Sequence, residues 1–259
     1  MFRTFKIITL GCKVNQYESA FMEESLSRAG WHRVANGSSA DVLVVNTCIV
    51  THKGAHQSRQ AIRKAIRENP ESFVAAIGCY PQMFPEELET IEGLNLIANN
   101  RIKAQIPRLL MELSSRNEKT LMLPPFEPET PFDPLDIDNF PGRTRAYLKI
   151  QDGCRSFCTY CIVPYARGPY RSLAPEKVLG ALERFADRGY REVVLTGIHL
   201  GKYGVDLSGH MNLKGLLQIV GKEGLPLRLR LSSLEPQELD MDIIEMAASE
   251  KWLCPHFHI

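Results

Sequence analysis

The sequence has no apolar run of the roughly 20 residues that a helix needs to cross a lipid bilayer. Its first residues, MFRTFKIITLGC, also lack the apolar core and small-residue cleavage site of a secretory leader. The formal net charge is only +1, so charge over the whole chain gives no sign of a nucleic-acid partner. These absences argue against a membrane-spanning or secreted protein. We therefore expect a cytoplasmic protein with no membrane partner.

The composition is that of a chain that folds around a packed core. Apolar residues make up 44% and charged residues 24% of 259 residues, which is enough for one large domain or two ordinary ones. Short apolar runs alternate with helical patterns, and this order predicts a parallel sheet with crossover helices. The predicted strands of the first part are 6–10, 41–46 and 72–77, and the predicted helices are 17–29, 53–68 and 101–114.

A proline-rich segment separates two such parts. Six of the sixteen prolines lie within 115–142, where they disfavour helix. We therefore predict a domain over residues 1–114, a linker over 115–142 and a second domain over 143–259.

The alternation of strands and helices resumes after the linker. The predicted strands are 145–150, 192–197, 227–233 and 254–259, and the predicted helices are 175–189, 211–222 and 236–249. A barrel of βα units has to close its sheet. Since the second domain holds too few units for that, we expect a longer protein cut within a strand. A small open α/β domain is the alternative.

Three cysteines follow three predicted strands of the first domain. Cys12 comes after IITLG, Cys48 after VVNT and Cys79 after AAIG. Parallel strands end at one edge of a sheet, and ligands of open α/β sheets bind in the crevice beyond that edge. A single cysteine in such a place is more often a core residue. Three of them at one edge predict a site with three thiolate ligands.

Three more cysteines, Cys154, Cys158 and Cys161, are crowded into the loop after strand 145–150. In a reducing compartment such crowding indicates metal binding rather than disulfides. A structural zinc site takes a fourth Cys or His close by, and the next thirty residues contain neither. Three thiolates instead suit a [4Fe–4S] cluster with one open iron. The seventh cysteine, Cys254, fits neither set and is expected to be a buried strand residue.

The loop KIQDGCRSFCTYCIVPYARG resembles the cluster loop of the radical S-adenosylmethionine (SAM) superfamily. Further motifs resemble the methylthiotransferase family within it, namely LGCKVNQYES, VVNTCIVTHK, AIGCYPQ, LTGIHLGKYG and LRLSSLEP. The resemblance implies an α/β protein, in which an open parallel-sheet domain with a three-cysteine cluster precedes a radical SAM barrel. A small β-rich RNA-binding domain completes the family's architecture. Because HFHI resembles the start of a later barrel strand, we expect that domain and the rest of the barrel to be missing.

The residues after the first cysteine distinguish the branches of this family. GCKVNQYE most resembles the branch that acts on threonylcarbamoyladenosine at position 37 of tRNA. The branch acting on isopentenyladenosine usually has Gln-Met-Asn after that cysteine, and the ribosomal-protein branch has Pro-Lys-Asn. We expect the first branch, with the other two as alternatives.

The resemblance also implies cofactors and partners. Two [4Fe–4S] clusters and SAM are expected, with the cluster of the crowded loop making a radical that takes hydrogen from C2 of the adenine. One SAM is expected to donate a methyl group to sulfur held at the open iron of the other cluster, and a second SAM to yield the radical. The expected partners are the anticodon loop of tRNA, at adenosine 37, and a reductant such as flavodoxin or ferredoxin. The sulfur donor is not indicated.

The same resemblance implies a set of residues that contact SAM: Tyr160, Thr196, Gly197, Ser232, Ser233 and Glu235. Thr196 and Gly197 end a barrel strand and are expected to meet the methionine amino group. The residues after the next strand are expected to face the methionyl or ribose group, with a capped helix start at SSLEPQE as the alternative. Tyr160 is expected to contact the adenine, with simple packing as the alternative.

A basic stripe lies on the helix predicted after Cys48. Arg59, Arg63 and Arg67 recur every four residues, with Lys64 beside them. A solvated helix face is the commoner explanation, and contact with RNA phosphates is the sharper one. The arginines that flank the cluster loop would add to such a surface: Arg143, Arg145, Arg167 and Arg171.

Two other functions compete with the methylthiotransferase. A cobalamin-dependent radical methylase would have a Rossmann-like first domain, but such domains bind the corrin without three strand-end cysteines. A non-enzymatic scaffold stabilised by two structural metal sites would contain zinc rather than iron.

Overall fold

The structure, a computed structural model, describes residues 3–35, 38–115, 118–140 and 143–259. The chain divides into two compact units, each made of two stretches. Unit 1 contains Met1–Glu127 and Ser156–Gly168, and unit 2 contains Pro128–Arg155 and Pro169–Ile259. No helix within the described ranges combines the length and the apolar character needed to cross a membrane.

Unit 1 is built on a parallel sheet. Its strands are β1 (Thr4–Thr9), β2 (His32–Arg33), β3 (Val42–Thr47), β4 (Phe73–Gly78), β5 (Leu96–Asn99) and β6 (Thr120–Met122). They lie in the order β2-β1-β3-β4-β5-β6, and every neighbouring pair is parallel. Strands β3 and β4 are buried along their whole length, which explains why they read as continuous apolar runs. The predicted open parallel sheet is confirmed.

Helices cover both faces of this sheet. They are α1 (Lys13–Arg28), α2 (His52–Glu68), α3 (Cys79–Met83), α4 (Pro85–Glu89), α5 (Ile106–Leu113) and α6 (Val163–Arg167). Successive residues of β3 point to opposite faces, as in any strand. Val42 and Val44 join the core beneath α1 and α5, whereas Leu43 and Val45 join the core beneath α2 and α4.

The strand order reverses beside β1. Strand β2 pairs with one edge of β1 and β3 with the other. In open α/β sheets the crevice beyond the carboxyl ends of the strands at such a reversal is the usual ligand site. The topology therefore places the candidate site of unit 1 beyond the ends of β1 and β3.

Several elements differ from those predicted. Helix 101–114 begins as a 3-10 helix, Asn100–Gln105, and becomes α-helical only in α5. The short strands β2, β5 and β6 were not predicted. Strand β6 pairs with β5 although it lies in the segment 115–142 predicted as linker. Three residues carry too little pattern to be recognised as a strand, and their pairing depends on an edge that only the folded sheet presents. Of the predicted linker, residues 116–117 and 141–142 lie outside the described residues.

Unit 2 repeats the order of strand and helix. Its elements are β7 (Ala146–Lys149), β8 (Gln151–Asp152), β9 (Arg171–Ser172), α7 (Pro175–Asp187), β10 (Glu192–Thr196), α8 (Leu213–Lys222), β11 (Arg228–Leu231) and α9 (Met241–Ser249). Strands β11, β10 and β7 form a parallel sheet in that order, and β8 pairs with β9 antiparallel. Residues 254–259, predicted as a strand, form no continuous ladder in the described structure: Cys254 N–H donates to Leu229 O at 2.8 Å, and Ser233 and His258 form an isolated parallel bridge. Pro255 has no N–H for a ladder at this point.

A buried carboxylate explains the alternation of leucine and arginine in β11. Leu229 and Leu231 are buried, while Arg228 and Arg230 turn to Glu192 on β10 and donate hydrogen bonds of 2.8 and 2.7 Å to its carboxylate. Burial alone would raise the pKa of Glu192, but the hydrogen bonds from these arginines outweigh it and lower the pKa below the ordinary carboxyl value.

We expect Glu192→Gln to lower the free energy of unfolding at neutral pH by about 1.5–3 kcal/mol, because charge-assisted hydrogen bonds are lost. The folded-state pKa is lowered, so the carboxylate stabilises the fold above the ordinary carboxyl pKa and stops doing so as the pH falls through the lowered value. Urea unfolding of the two proteins should therefore differ at pH 7 and converge in strong acid. Glu183→Gln, at an exposed position of α7, is the matched control and should change nothing. A difference that is independent of pH would contradict this account.

Candidate functional site

Cys12, Cys48 and Cys79 lie at the ends of three adjacent strands of unit 1. Cys12 is the N-cap of α1 shortly after β1, Cys48 directly follows β3, and Cys79 directly follows β4 and opens α3. Because β1, β3 and β4 are parallel neighbours, these residues share the carboxyl edge of the sheet. Burial raises the pKa of the Cys12 and Cys48 thiols, and Cys79 adds to the rise in both.

Two glycines allow the backbone to approach closely at this edge. Gly11 has a φ of +90°, and a Cβ there would lie 2.6 Å from Cβ and 2.7 Å from Sγ of Cys48. Gly78 has a φ of +104°, and a Cβ there would lie 2.9 Å from Asn46 Oδ1. Any other residue at either position would be strained and would displace its neighbours. Both glycines are therefore part of the site.

The three strand-end side chains are all thiols, the donor type that iron–sulfur clusters use. No three His, Cys, Asp or Glu side chains within the described ranges are arranged to hold one metal ion. A [4Fe–4S] cluster binds each of its thiolates to a different iron, and cysteine thiolates are its usual ligands.

A buried group of charges lies behind these cysteines. Lys103 Nζ donates to Glu18 Oε2 at 2.6 Å, and Arg167 Nη1 donates to Glu18 Oε1 at 2.6 Å. All three side chains are at most 3% exposed. Burial lowers the pKa of Lys103, and the Glu18 carboxylate opposes this effect. The Arg167 guanidinium therefore places a buried positive charge near the Cys12 thiol.

That charge and one amide act directly on the cysteines. Although Cys12 as a residue is exposed, the protein around its thiol raises its pKa by desolvation, and the Arg167 guanidinium opposes this rise. Asn100 Nδ2 donates to Cys79 Sγ at 3.3 Å and to Ala166 O at 2.8 Å. Positive charge and hydrogen bonds to sulfur stabilise bound thiolates and set the potential of an iron–sulfur cluster. No spacing in the sequence indicated Asn100 or Lys103.

In unit 2, Cys154 is buried and contacts a hydrogen-bonded histidine. Its Sγ lies 3.4 Å from His199 Nδ1, and His199 Nε2 lies 2.7 Å from Glu238 Oε1. The His199 backbone N–H donates to Gln151 Oε1 at 2.7 Å. The contact with Cys154 raises the pKa of His199, burial opposes this, and Glu238 adds to the rise. His199 lies in the motif LTGIHLGKYG, and this motif is the sequence feature that could have identified it as a site residue.

The division between the units falls inside the cysteine loop, between Arg155 and Ser156, so Cys158 and Cys161 are described with unit 1. Cys158 is exposed and Cys161 partly buried. The Cys161 N–H donates to Cys158 O at 2.9 Å, which makes a tight turn between the two thiols. Phe157 just before this turn has a φ of +46°, an uncommon conformation for a residue of its size.

The predicted SAM contacts of unit 2 follow two adjacent strands. Thr196 is the buried last residue of β10, and a Cβ on Gly197 would lie 2.9 Å from the Gln151 side chain. Ser232 follows β11, and its N–H donates to Leu195 O at 3.0 Å. The predicted residues therefore share the carboxyl edge of the β10–β11 pair, as sites in βα barrels do.

Ser232, Ser233 and Glu235 differ in their burial and in their hydrogen bonds. Ser232 Oγ is buried and has no hydrogen-bond partner among the described residues. Ser233 is exposed, and its Oγ lies 2.8 Å from His258 Nδ1. Glu235 and Glu238 form a reciprocal capping box around the 3-10 helix Pro236–Glu238, which is the capped start weighed as the alternative.

Tyr160 is 89% exposed and belongs to a pocket of about 420 Å³ in unit 1. The pocket is lined by Ile49, Val50, Thr51, His52, Ala55, Arg59, Tyr80, Phe84, Glu87, Tyr160 and Ile162. Tyr80 Oη accepts from Arg59 Nη1 at 2.6 Å and donates to Glu87 Oε2 at 2.5 Å. One wall is therefore a fixed polar network, and the rest is largely apolar or aromatic.

Two arginines flanking the cluster loop are buried, whereas the interpretation of a basic RNA-binding surface placed them at the surface. Arg167 is 1% exposed and bound to Glu18, and Arg171 is 5% exposed and forms an ion pair of 3.4 Å with Asp152. The expectation that both would reach RNA phosphates is wrong, because each is held inside by a buried carboxylate.

Comparison with known families matches residues 148–244 to the family described as Radical SAM superfamily. That range contains all three cysteines of the crowded loop and the predicted SAM contacts. The second part of the chain is therefore similar to the radical SAM superfamily. Residues 4–98, which contain the other three clustered cysteines, match the family described as Uncharacterized protein family UPF0004.

Proteins similar to this chain carry methylthiotransferase names. A protein of Aquifex aeolicus (strain VF5) named threonylcarbamoyladenosine tRNA methylthiotransferase MtaB is 38% identical over 97% of this chain and 61% of its own length. One of Carboxydothermus hydrogenoformans named tRNA-2-methylthio-N(6)-dimethylallyladenosine synthase is 32% identical over 99% of this chain and 59% of its own. The chain thus spans about three fifths of their length. The predicted resemblance to the methylthiotransferase family is confirmed.

A solved structure shares the fold. The radical SAM methyltransferase TsrM from Kitasatospora setae, with cobalamin and a [4Fe–4S] cluster bound, matches with a TM-score of 0.62 at 16% identity. The match covers 96% of this chain and 59% of that one. At this identity it confirms the predicted α/β fold and nothing further. The superfamily implies SAM and one [4Fe–4S] cluster, while the second cluster stays a prediction.

Proposed function

We propose that this protein is a tRNA methylthiotransferase that adds a methylthio group to C2 of N6-threonylcarbamoyladenosine at position 37. The observation that carries the proposal is the convergence of Cys12, Cys48 and Cys79 at one edge of the unit 1 sheet. One three-cysteine loop is enough to make a radical. A second three-thiolate site gives the enzyme a place to hold the sulfur that it transfers.

The chemistry of the target supports radical catalysis. C2 of adenine carries an aromatic hydrogen with no useful acidity, so a general base cannot remove it near neutral pH. When bound, the cofactors supply the radical, the methyl group and the sulfur. The residues of the chain hold these groups, orient them and keep water away.

Each cysteine set has a distinct task in this proposal. Cys154, Cys158 and Cys161 hold the cluster that binds SAM, a role supported by their spacing. His199 and Gln151 position the Cys154 end of that loop through their hydrogen bonds. The three strand-end cysteines hold a second [4Fe–4S] cluster.

The SAM contacts are assigned by residue chemistry. The buried Ser232 Oγ costs free energy unless a ligand satisfies it, and a polar group of SAM would do so. Gly197 follows Thr196, and its lack of a side chain leaves room for Gln151. Ser233 and Glu235 follow Ser232 on the same edge of the sheet. Tyr160 is assigned to the adenine of SAM because it directly precedes Cys161, the last cysteine of the loop.

The partners follow from the reaction. The substrate is the anticodon loop of tRNA at adenosine 37, and a reductant such as flavodoxin or ferredoxin delivers electrons to the cluster. The relatives named for this activity support the tRNA substrate.

Mass spectrometry of tRNA nucleosides tests the proposal in the source organism. Deleting the full-length gene should remove the methylthio form of threonylcarbamoyladenosine, and restoring the gene should bring it back. Loss of the methylthio form of the dimethylallyl nucleoside instead would assign the protein to the sister activity, which the second relative represents. No change in either nucleoside would exclude both.

Metal analysis after anaerobic reconstitution separates the proposal from its rivals. Two [4Fe–4S] clusters predict about eight irons per chain, with matching sulfide. About four irons per chain would indicate a radical enzyme that lacks the second cluster. Zinc in place of iron would favour a structural scaffold, and a corrin band in the visible spectrum would favour a cobalamin-dependent methylase.

A further inference from the structure

Helix α2 concentrates positive charge on one side. It contains five lysines and arginines and one glutamate, Glu68 at its last position, for a formal charge of +4 in a chain whose total is +1. At about 100° per residue, these cations fall within an arc of roughly 140°. The opposite side packs into the core through Ser58, Ile62 and Ala65. We call the exposed arc the α2 basic face, made of His52, Lys53, His56, Arg63, Lys64 and Arg67.

The cations of this face are available to a partner. Among the described residues, Lys53, Arg63 and Arg67 are exposed and form no hydrogen bond or ion pair. Lys64 is engaged only weakly, at 3.8 Å from Glu68. A solvated helix usually mixes charges of both signs along its exposed side. The absence of any acid between 52 and 67 instead creates a positive strip about 21 Å long between Lys53 and Arg67.

A partly apolar pocket opens beside the first turns of the same helix. Phe84 is 38% and Val50 54% exposed at its rim, although apolar side chains of this size are usually buried. Arg59 connects the two features, since it belongs to α2 and also lines the pocket. Two lining residues of the pocket, Ile49 and Tyr80, directly follow Cys48 and Cys79 in the sequence.

A positive strip with an aromatic pocket at its end is the arrangement that binds single-stranded nucleic acid. Cations follow the phosphates, and aromatic rings stack on bases that have left the helix. We propose that the α2 basic face binds the phosphates of the tRNA anticodon arm and that the Phe84 pocket takes an unstacked base of the same strand. The proposal rests on the proposed function, and it identifies where unit 1 meets its substrate.

Fluorescence anisotropy with a labelled anticodon stem-loop RNA tests this surface on the intact chain. The variant K53Q/R63Q/R67Q should bind at least about tenfold more weakly at low salt. Its slope of log affinity against log salt should be smaller by about 2, because each phosphate contact on a single strand contributes roughly 0.7. The control K177Q/K222Q/K251Q removes three exposed lysines of unit 2 and should bind like the wild type. Equal loss in both variants, or no salt-dependent binding by the wild type, would overturn the proposal.

The pocket is tested with a second pair of variants. Phe84→Ala should weaken binding about fivefold or more without changing the salt slope, since it removes stacking and no charge. Met111→Ala is the matched control, because Met111 is 39% exposed on α5 of the same unit. Unchanged affinity in Phe84→Ala would remove the pocket from the proposal.

The RNA-binding test of this surface and the nucleoside test of the proposed function can fail independently. If the gene restores the methylthio nucleoside while K53Q/R63Q/R67Q binds RNA normally, the function stands and the surface is wrong. If the surface binds RNA as described but neither methylthio nucleoside depends on the gene, the function is wrong and the surface stands.

Discussion

Replacing any one of the six clustered cysteines with alanine is expected to abolish the methylthio nucleoside, whereas Cys254→Ala should leave it at the wild-type level. Variants of the two cysteine sets should block the reaction at different steps. Variants of Cys154, Cys158 or Cys161 lose the cluster that binds SAM and should no longer cleave it. Variants of the strand-end cysteines keep that cluster, so they should still form 5′-deoxyadenosine but transfer no sulfur.

Iron content gives this prediction a readout besides activity. Each variant should retain about four irons per chain rather than about eight, because only one of two clusters is lost. Cys254 is the matched control, since it is a buried cysteine of unit 2 whose thiol pKa is raised by burial and which belongs to neither set. Methylthio product from any of the six variants would refute the assignment of that cysteine.

The second large effect concerns stability. Glu18→Gln is expected to lower the free energy of unfolding by about 3–5 kcal/mol, because it leaves the buried cations Lys103 and Arg167 without their shared counter-charge. Urea unfolding measures the loss. The double variant Glu18→Gln with Lys103→Met should recover part of it, since one of the two uncompensated cations is then removed.

An exposed ion pair serves as the control for this prediction. Arg108 and Glu112 on α5 are 80% and 51% exposed, so Arg108→Ala should leave the unfolding curve unchanged. If Glu18→Gln unfolded like the wild type, the buried charges would not depend on one another as the geometry indicates. If the double variant were no more stable than Glu18→Gln, the loss would not come from uncompensated charge.

The fold alone does not separate the proposed function from its main rival. One solved structure that shares the fold is a methyltransferase with cobalamin bound, and at 16% identity it is informative only about architecture. The distinction rests on side chains at one edge of the unit 1 sheet. The three cysteines there are proposed thiolate ligands, which a corrin-binding domain does not need.

The sequence by itself determined the layout of the site. Apolar runs and helical spacing predicted the alternation of strands and helices, and parallel strands are bound to end at a common edge. Cysteines directly after β3 and β4, and shortly after β1, therefore had to share that edge in any fold of this class. Errors of a residue or two in the strand ends did not affect this conclusion.

Only the tertiary structure decided what surrounds those cysteines. Glu18 meets Lys103 across 85 residues and Arg167 across 149, and no spacing in a sequence signals such a pair. The sequence therefore placed Arg167 at the surface, whereas in the folded unit it binds the buried carboxylate of Glu18. The short strand β6 likewise exists only because β5 offers it an edge. Local pattern governs elements and their order, whereas pairing between distant residues depends on the packing of the whole unit.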